Sequence, residues 1–134
     1  MPYRSLLARI AGVIELLVGI GAVAGGAALI AAPSGALLGM PVAMLRGTPF
    51  RIYLVPGAVL LLVVGGANLA AGLLALRGRR SAPAASVLAG VALLGWMGVQ
   101  VALIGYRDPL QLVYLAVGVA ILSSGVILTI PARV

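Results

Sequence analysis

Four runs of about 20 apolar residues, joined by short links, leave this chain few folds to choose from. A bilayer core about 30 Å thick is crossed by roughly 20 residues of helix at about 1.5 Å each. The runs cover residues 10–32, 52–76, 84–105 and 111–130. Glu15 is the only charge in the first. Charged residues form 8% of the 134, against about 25% in an ordinary soluble domain, too few to clothe a surface in water. The reading is an all-α integral membrane protein with a single transmembrane domain over residues 1–134. Arg77-Gly78-Arg79-Arg80-Ser81 is a short basic link, and Tyr106-Arg107-Asp108-Pro109 is a tight turn. Links this short force antiparallel neighbours, which predicts an up-down-up-down four-helix bundle. The first run exceeds the roughly 7–15 residues of a signal-peptide core and carries a glutamate, so it reads as a retained span.

The longest link, residues 33–51, is not a polar loop. Gly35 to Leu45 is apolar yet too short to cross, which suits a short interfacial segment between spans one and two. Its expected role is a lid over helix ends, with a lipid-access or partner-binding surface as the other reading.

Charge gives the orientation. Six arginines (Arg4, Arg9, Arg77, Arg79, Arg80, Arg133) fall on the side of the termini and the second link, against three (Arg46, Arg51, Arg107) on the other. The positive-inside rule then places both termini in the cytoplasm. The same arginines suit anionic lipid headgroups. Nucleic-acid binding needs a concentrated basic face, and no soluble basic domain is present to supply one.

Composition also narrows the chemistry. The chain has no histidine and no cysteine, which removes imidazole bases, thiolate nucleophiles and His- or Cys-ligated metal centres. Its two acids, Glu15 and Asp108, are expected near opposite membrane faces, so a working carboxylate pair is not expected. No phosphate loop or nucleophile–base spacing occurs. The expectation is a non-enzyme without a cofactor.

Because lipid is as apolar as leucine, small and polar residues must reveal the packed faces. Gly12, Glu15, Gly19, Ala22 and Gly26 form one stripe of span one. Gly57, Leu61, Gly65, Asn68 and Gly72 form one on span two, and Gln111, Tyr114, Gly118, Leu122 and Gly125 one on span four. Span three offers a small face (Val91, Gly95, Gly98, Ala102, Gly105) beside a polar-aromatic one (Trp96, Gln100, Arg107). Ala11-Gly12-Val13 and Ala89-Gly90-Val91 open spans one and three alike and hint at a two-plus-two repeat.

Two constellations stand out as candidate sites. Glu15 lies roughly 9 Å inward from Arg9 and Asn68 roughly 13 Å inward from Arg77, at similar depth from one face. A hydrogen bond between them is geometrically reasonable. Glu15 is read either as a proton-carrying or cation-binding site or as a structural clamp to Asn68 or a snorkelling arginine. Toward the other face, Trp96, Gln100, Gln111 and Tyr114 can line an amphipathic pocket for a lipid, quinone or hydrophobic ligand. Trp96 is too deep for an aromatic-belt anchor, whereas Tyr53 and Tyr106 read as anchors. Pro56-Gly57 is expected to kink span two.

The glutamate-bearing, glycine-rich first span, LGMPVAMLRGTPFRIYLVPG (38–57), GWMGVQVALIGY (95–106) and LQLVYLAVG (110–118) resemble a family of small bacterial four-span membrane proteins. More distantly the chain is similar to DoxX-like four-span proteins. The resemblance covers nearly the whole length and implies the fold and a bacterial cytoplasmic membrane, but no activity. Small multidrug resistance transporters also carry one glutamate in a first span, an analogy that touches Glu15 alone: the apolar link over residues 33–51 is unlike their short loops. The function expected is that of an accessory or interaction subunit of a larger bacterial membrane complex, with membrane lipids and another membrane protein or a second copy as partners. The alternative is a proton-coupled small-molecule transporter or a lipid- or quinone-binding carrier using Glu15.

Overall fold

The computed structural model describes residues 2–131. Arg133, counted above on the terminal side, lies outside the described residues. Four helices are long and apolar enough to cross a membrane. We label them α1 (Pro2–Ala31), α2 (Leu54–Leu76), α3 (Ala82–Ile104) and α4 (Pro109–Thr129). No strand occurs among the described residues. The helices match the four apolar runs within two residues except at the start of α1, where the helix begins eight residues early. No proline or glycine interrupts Tyr3 to Ile10, so the helix simply continues past its apolar part.

Two seams organise the packing. Along the first, Gly12 lies against Ala75 and Leu76, Gly19 against Leu69, and Gly26 against Leu61 and the Gly57 carbonyl, so α1 and α2 run in opposite directions. Along the second, Gly90 meets Leu122, Gly118 meets Leu94, and Gly125 meets Val87. A Cβ on Gly26 would sit 2.6 Å from the Gly57 oxygen, and one on Gly90 2.7 Å from the Leu122 nitrogen. Backbone cannot yield as a side-chain tip can, so only glycine permits these approaches. Gly12 and Gly90, the centres of the matching tripeptides, differ in what they meet: Gly12 faces the side chains of Ala75 and Leu76, and Gly90 the backbone of Leu122. Between the pairs lie side chains of ordinary size, among them Val18, Val64, Leu93, Met97 and Ile121.

The structure corrects three readings of these helices. The small stripe of α3 faces outward: Val91, Gly95, Gly98 and Ala102 are exposed, while Ser86, Ala89, Gly90, Leu93 and Met97 are buried. Its close-packing glycine is Gly90, which lies off that stripe. Pro56 sits in the first turn of α2, where its missing N–H breaks no ladder bond. The irregular part of α2 is instead a π-helical stretch, Leu60–Gly65. Tyr53 is not an interfacial anchor but is 3% exposed, its hydroxyl donating to the Pro41 carbonyl at 2.8 Å.

That bond holds the link between α1 and α2 in place. The link forms two short 3₁₀ turns, Ala36–Leu38 and Val42–Leu45. Gly35 has φ +82°, and a Cβ there would collide with the Met40 carbonyl, so the reversal depends on glycine. Leu45 packs with Leu29 and Tyr53, while Leu37 and Leu38 are exposed.

The two ends differ. At the arginine-turn end, Arg4 of α1 donates to the carbonyls of Leu128 and Ile130 at 3.0 and 2.8 Å. It satisfies oxygens that the end of a helix leaves without partners and adds positive charge where the helix dipole is negative. Residues 66–76 of α2 also pack against α3 there. At the opposite, lid end, no backbone of Leu54–Val59 comes near α3. The pairs are joined at one end and parted at the other.

Candidate functional site

The parting leaves a chamber of about 630 Å³. Trp96 and Gln100 of α3 and Gln111 and Tyr114 of α4 all line it, so the structure brings together the residues grouped from sequence. Opposite them stand Val18, Gly21 and Ala22 of α1 and Leu60 and Val64 of α2. Met40 and Met44 of the link close the lid end, with Arg107 and Asp108 at the rim. The body of the chamber is apolar and its polar groups gather toward the lid.

A second cavity, about 380 Å³, runs between α2 and α3 and is almost wholly apolar. Its walls include Val55, Val59 and Val63 on one side and Val91, Gly95 and Val99 on the other. These valines are exposed, so the groove opens sideways from the helices. Trp96, Gln100, Val64 and Met40 line both cavities and form the partition between them. An amphipathic molecule finds here a polar rim, an apolar body and an apolar side slot.

The four pocket residues differ in freedom. Gln111 is buried and committed: its Oε1 accepts from the Arg107 and Asp108 N–H groups at 2.6 and 3.2 Å, and its Nε2 donates to the Gly105 carbonyl at 3.3 Å. Asp108 in turn accepts from the Leu110 N–H at 2.8 Å, which completes a capping box at the start of α4. Gln111 therefore shapes the rim and has little capacity left for a ligand. Tyr114 is partly exposed, and Trp96 and Gln100 are half-buried.

Glu15 and Asn68 are both 0% exposed and lie one turn beyond the chamber toward the arginine-turn end. They are not hydrogen-bonded to each other. Asn68 Nδ2 donates to the Val64 carbonyl at 2.9 Å and reaches the Ala89 carbonyl at 3.5 Å, across to α3. Its Oδ1 and both Glu15 carboxyl oxygens are buried without a hydrogen-bond partner. The Ser86 hydroxyl of α3 faces Glu15 without reaching hydrogen-bonding geometry. Buried oxygens without a partner are costly, which sets Glu15 and Asn68 apart from the satisfied polar groups around them.

Several residues of this region are not singled out by the sequence reading. Ser86 lies in an Ala-rich stretch that reads only as small. Met40 and Met44 line the chamber because the link folds back over it. Asp108-Pro109-Leu110-Gln111 does carry a signal, since an Asx residue followed three positions later by Gln is the capping-box pattern. Comparison with protein-family models, with curated proteins and with solved structures gives no match.

Proposed function

We propose that this chain is a non-enzymatic integral membrane protein that holds an amphipathic, lipid-like molecule between its two helix pairs. In this reading it is an up-down-up-down four-helix bundle in a bacterial cytoplasmic membrane. The six-to-three arginine bias puts both termini in the cytoplasm, and the link over residues 33–51 lies at the opposite interface as an interfacial lid. The same reading groups the chain with small bacterial four-span proteins, and more distantly with DoxX-like ones, as its sequence suggests.

One observation carries the reading: a chamber of about 630 Å³ with an apolar body, a polar rim and a neighbouring sideways slot. Ligand sites in helix bundles lie between helices and combine apolar walls with a few placed polar groups. Trp96 offers a broad apolar face, Gln100 a hydrogen-bonding amide at the partition, and Arg107 a charge at the rim. The ligand's polar end sits at the lid and its tail passes Trp96 into the groove, from which surrounding acyl chains exchange.

The test is native mass spectrometry of protein extracted in nanodiscs. The wild type carries a discrete bound lipid or quinone that survives release of bulk lipid. Trp96→Ala combined with Gln100→Leu loses it while Leu88→Ala, on the outer face, keeps it. A wild type without a retained small molecule refutes the reading.

The outward small face of α3 favours a second reading, an accessory or interaction subunit. Gly98 has nothing within 4 Å of an added Cβ, so a helix of another membrane protein or a second copy can approach closely there. Gly98→Leu separates the two readings: it abolishes co-purification of such a partner and leaves a chamber-bound ligand in place.

A further inference from the structure

A third cavity, about 260 Å³, sits at the arginine-turn end. Arg4, Ser5 and Ala8 of α1 and Arg79 of the turn form its mouth, and Ala11 and Ser86 lie at its floor. Ser86 is also the side chain that faces Glu15, and Ala11 lies one turn before Glu15 on the same helix face. On the far side of Glu15 the chamber begins at Val18 and Val64. Glu15 therefore stands in the layer that divides two cavities. Its vestibule side carries hydroxyls and its chamber side carries aliphatic groups. Both its carboxyl oxygens are fully buried and unpartnered, as is Asn68 Oδ1 beside the same seam.

We propose that Glu15 is a proton-binding site that exchanges with solvent at the arginine-turn end, through the vestibule and Ser86, and is shut off from the chamber by Val18 and Val64. The inference goes beyond the ligand-binding reading and does not depend on what fills the chamber. In the release step a side-chain rotation first closes the Glu15–Ser86 hydrogen bond that the resting geometry lacks, and the Glu15 O–H bond then breaks as its proton passes to the Ser86 oxygen. Ser86 gives up its own hydroxyl proton to solvent in the vestibule, so one proton leaves and no electron moves. Uptake runs the same steps in reverse.

The surroundings select a proton over a metal ion. From α2 the group at this level is Asn68, and from α3 it is Ser86. From α4 it is Ser124, whose hydroxyl already donates to the Ile121 carbonyl at 2.8 Å. None of these titrates. The charged groups on the route are Arg4 and Arg79, whose positive field at the mouth turns back cations. On uptake from neutral water the hydroxide left behind is an anion that the same positive field draws off, so a hydroxyl relay carries the proton without bringing a dissolved cation past the arginines. A metal ion would also need several oxygen ligands, and the carboxylate, one amide and one hydroxyl fall short of an ordinary shell.

Infrared spectroscopy reads this directly, because the chain has one glutamate and one aspartate. Glutamate labelled with carbon-13 at its side-chain carboxyl shifts the Glu15 band alone, without any substitution. In nanodiscs, a labelled acid-carbonyl band rises and falls as pH is stepped, is absent from Glu15→Gln, and persists in Asp108→Asn. Ala8→Phe fills the vestibule and slows the response to a pH jump by about tenfold or more. Gly21→Phe, on the chamber side where an added Cβ meets nothing within 4 Å, leaves the rate unchanged. A Glu15 carboxyl band that never changes with pH, or no such band at any pH, overturns the proposal. So does slowing by Gly21→Phe, by both variants equally, or by neither.

Discussion

The seams within the helix pairs and the gap between the pairs are built from the same kinds of apolar residue, yet one closes and the other stays open. Within α1/α2 and α3/α4, glycines admit the partner's backbone to distances that no Cβ tolerates. Between the pairs the core mixes Ala22, Ala71 and Ala89 with Val64, Leu93, Met97 and Ile121, and the larger side chains hold the helices at ordinary separation. Water does not drive helices together inside a bilayer, so distance of approach and a few polar bonds decide where a bundle is tight. The glycines at Gly21, Gly95 and Gly98, which touch nothing, mark surfaces the fold leaves free. The chamber exists where close approach is not enforced.

Forcing a side chain into a seam breaks the comparison most severely. Gly90→Val pushes against the Leu122 backbone and costs about 3 kcal/mol, the upper part of the overpacking range, seen as a lowered unfolding midpoint in detergent. The same change at Gly98 moves that midpoint by less than about 0.5 kcal/mol. Gln111→Leu removes the cap that holds the rim and costs about 1 kcal/mol, with faster amide exchange at Arg107 and Asp108. Asn68→Leu deletes the reach to the Ala89 carbonyl and loosens the pairs by about 0.6 kcal/mol in a denaturant titration. Among the changes that remove a bond, Arg4→Gln has the smallest effect, about 0.5 kcal/mol. It is best seen as weaker disulfide trapping between cysteines placed at Ser5 and Leu128, which share the vestibule wall.

The same contrast separates what is legible in the sequence from what is not. Helix positions follow from apolar length, and two stripes follow from a helical period: Gly12, Glu15, Gly19, Ala22 and Gly26 of α1 and Gly57, Gly65, Asn68 and Gly72 of α2 are all buried, whereas on α4 Gln111, Gly118 and Gly125 are buried and Tyr114 is exposed. The stripe of α3 misleads because glycine is too common here for spacing alone to choose a face, and Gly90 rather than Gly95 or Gly98 meets a backbone. The Trp96–Gln100–Gln111–Tyr114 grouping is visible because antiparallel neighbours place those residues at one depth. The commitment of Gln111 to the turn is hidden until the path of Arg107 and Asp108 is known. Tyr53 reads as an anchor because nothing local says that residues 36–45 fold back to offer it the Pro41 carbonyl. Glu15 and Asn68 are equally apparent from composition. Their failure to bond each other reflects side-chain geometry, since Asn68 spends its amide on Val64 and Ala89.

If the gap between the pairs holds a chosen molecule, as proposed, photocrosslinking in the membrane captures it. A benzophenone amino acid is placed at Tyr114, in the chamber wall, and separately at Leu88, which is 67% exposed on the outer face. After irradiation in native membranes and purification, the intact mass of each product is read. A chosen ligand gives one discrete small-molecule adduct at position 114 and a broad mixture reflecting bulk lipid at position 88. Indistinguishable mixtures at the two positions, or no adduct at position 114, would contradict the proposal.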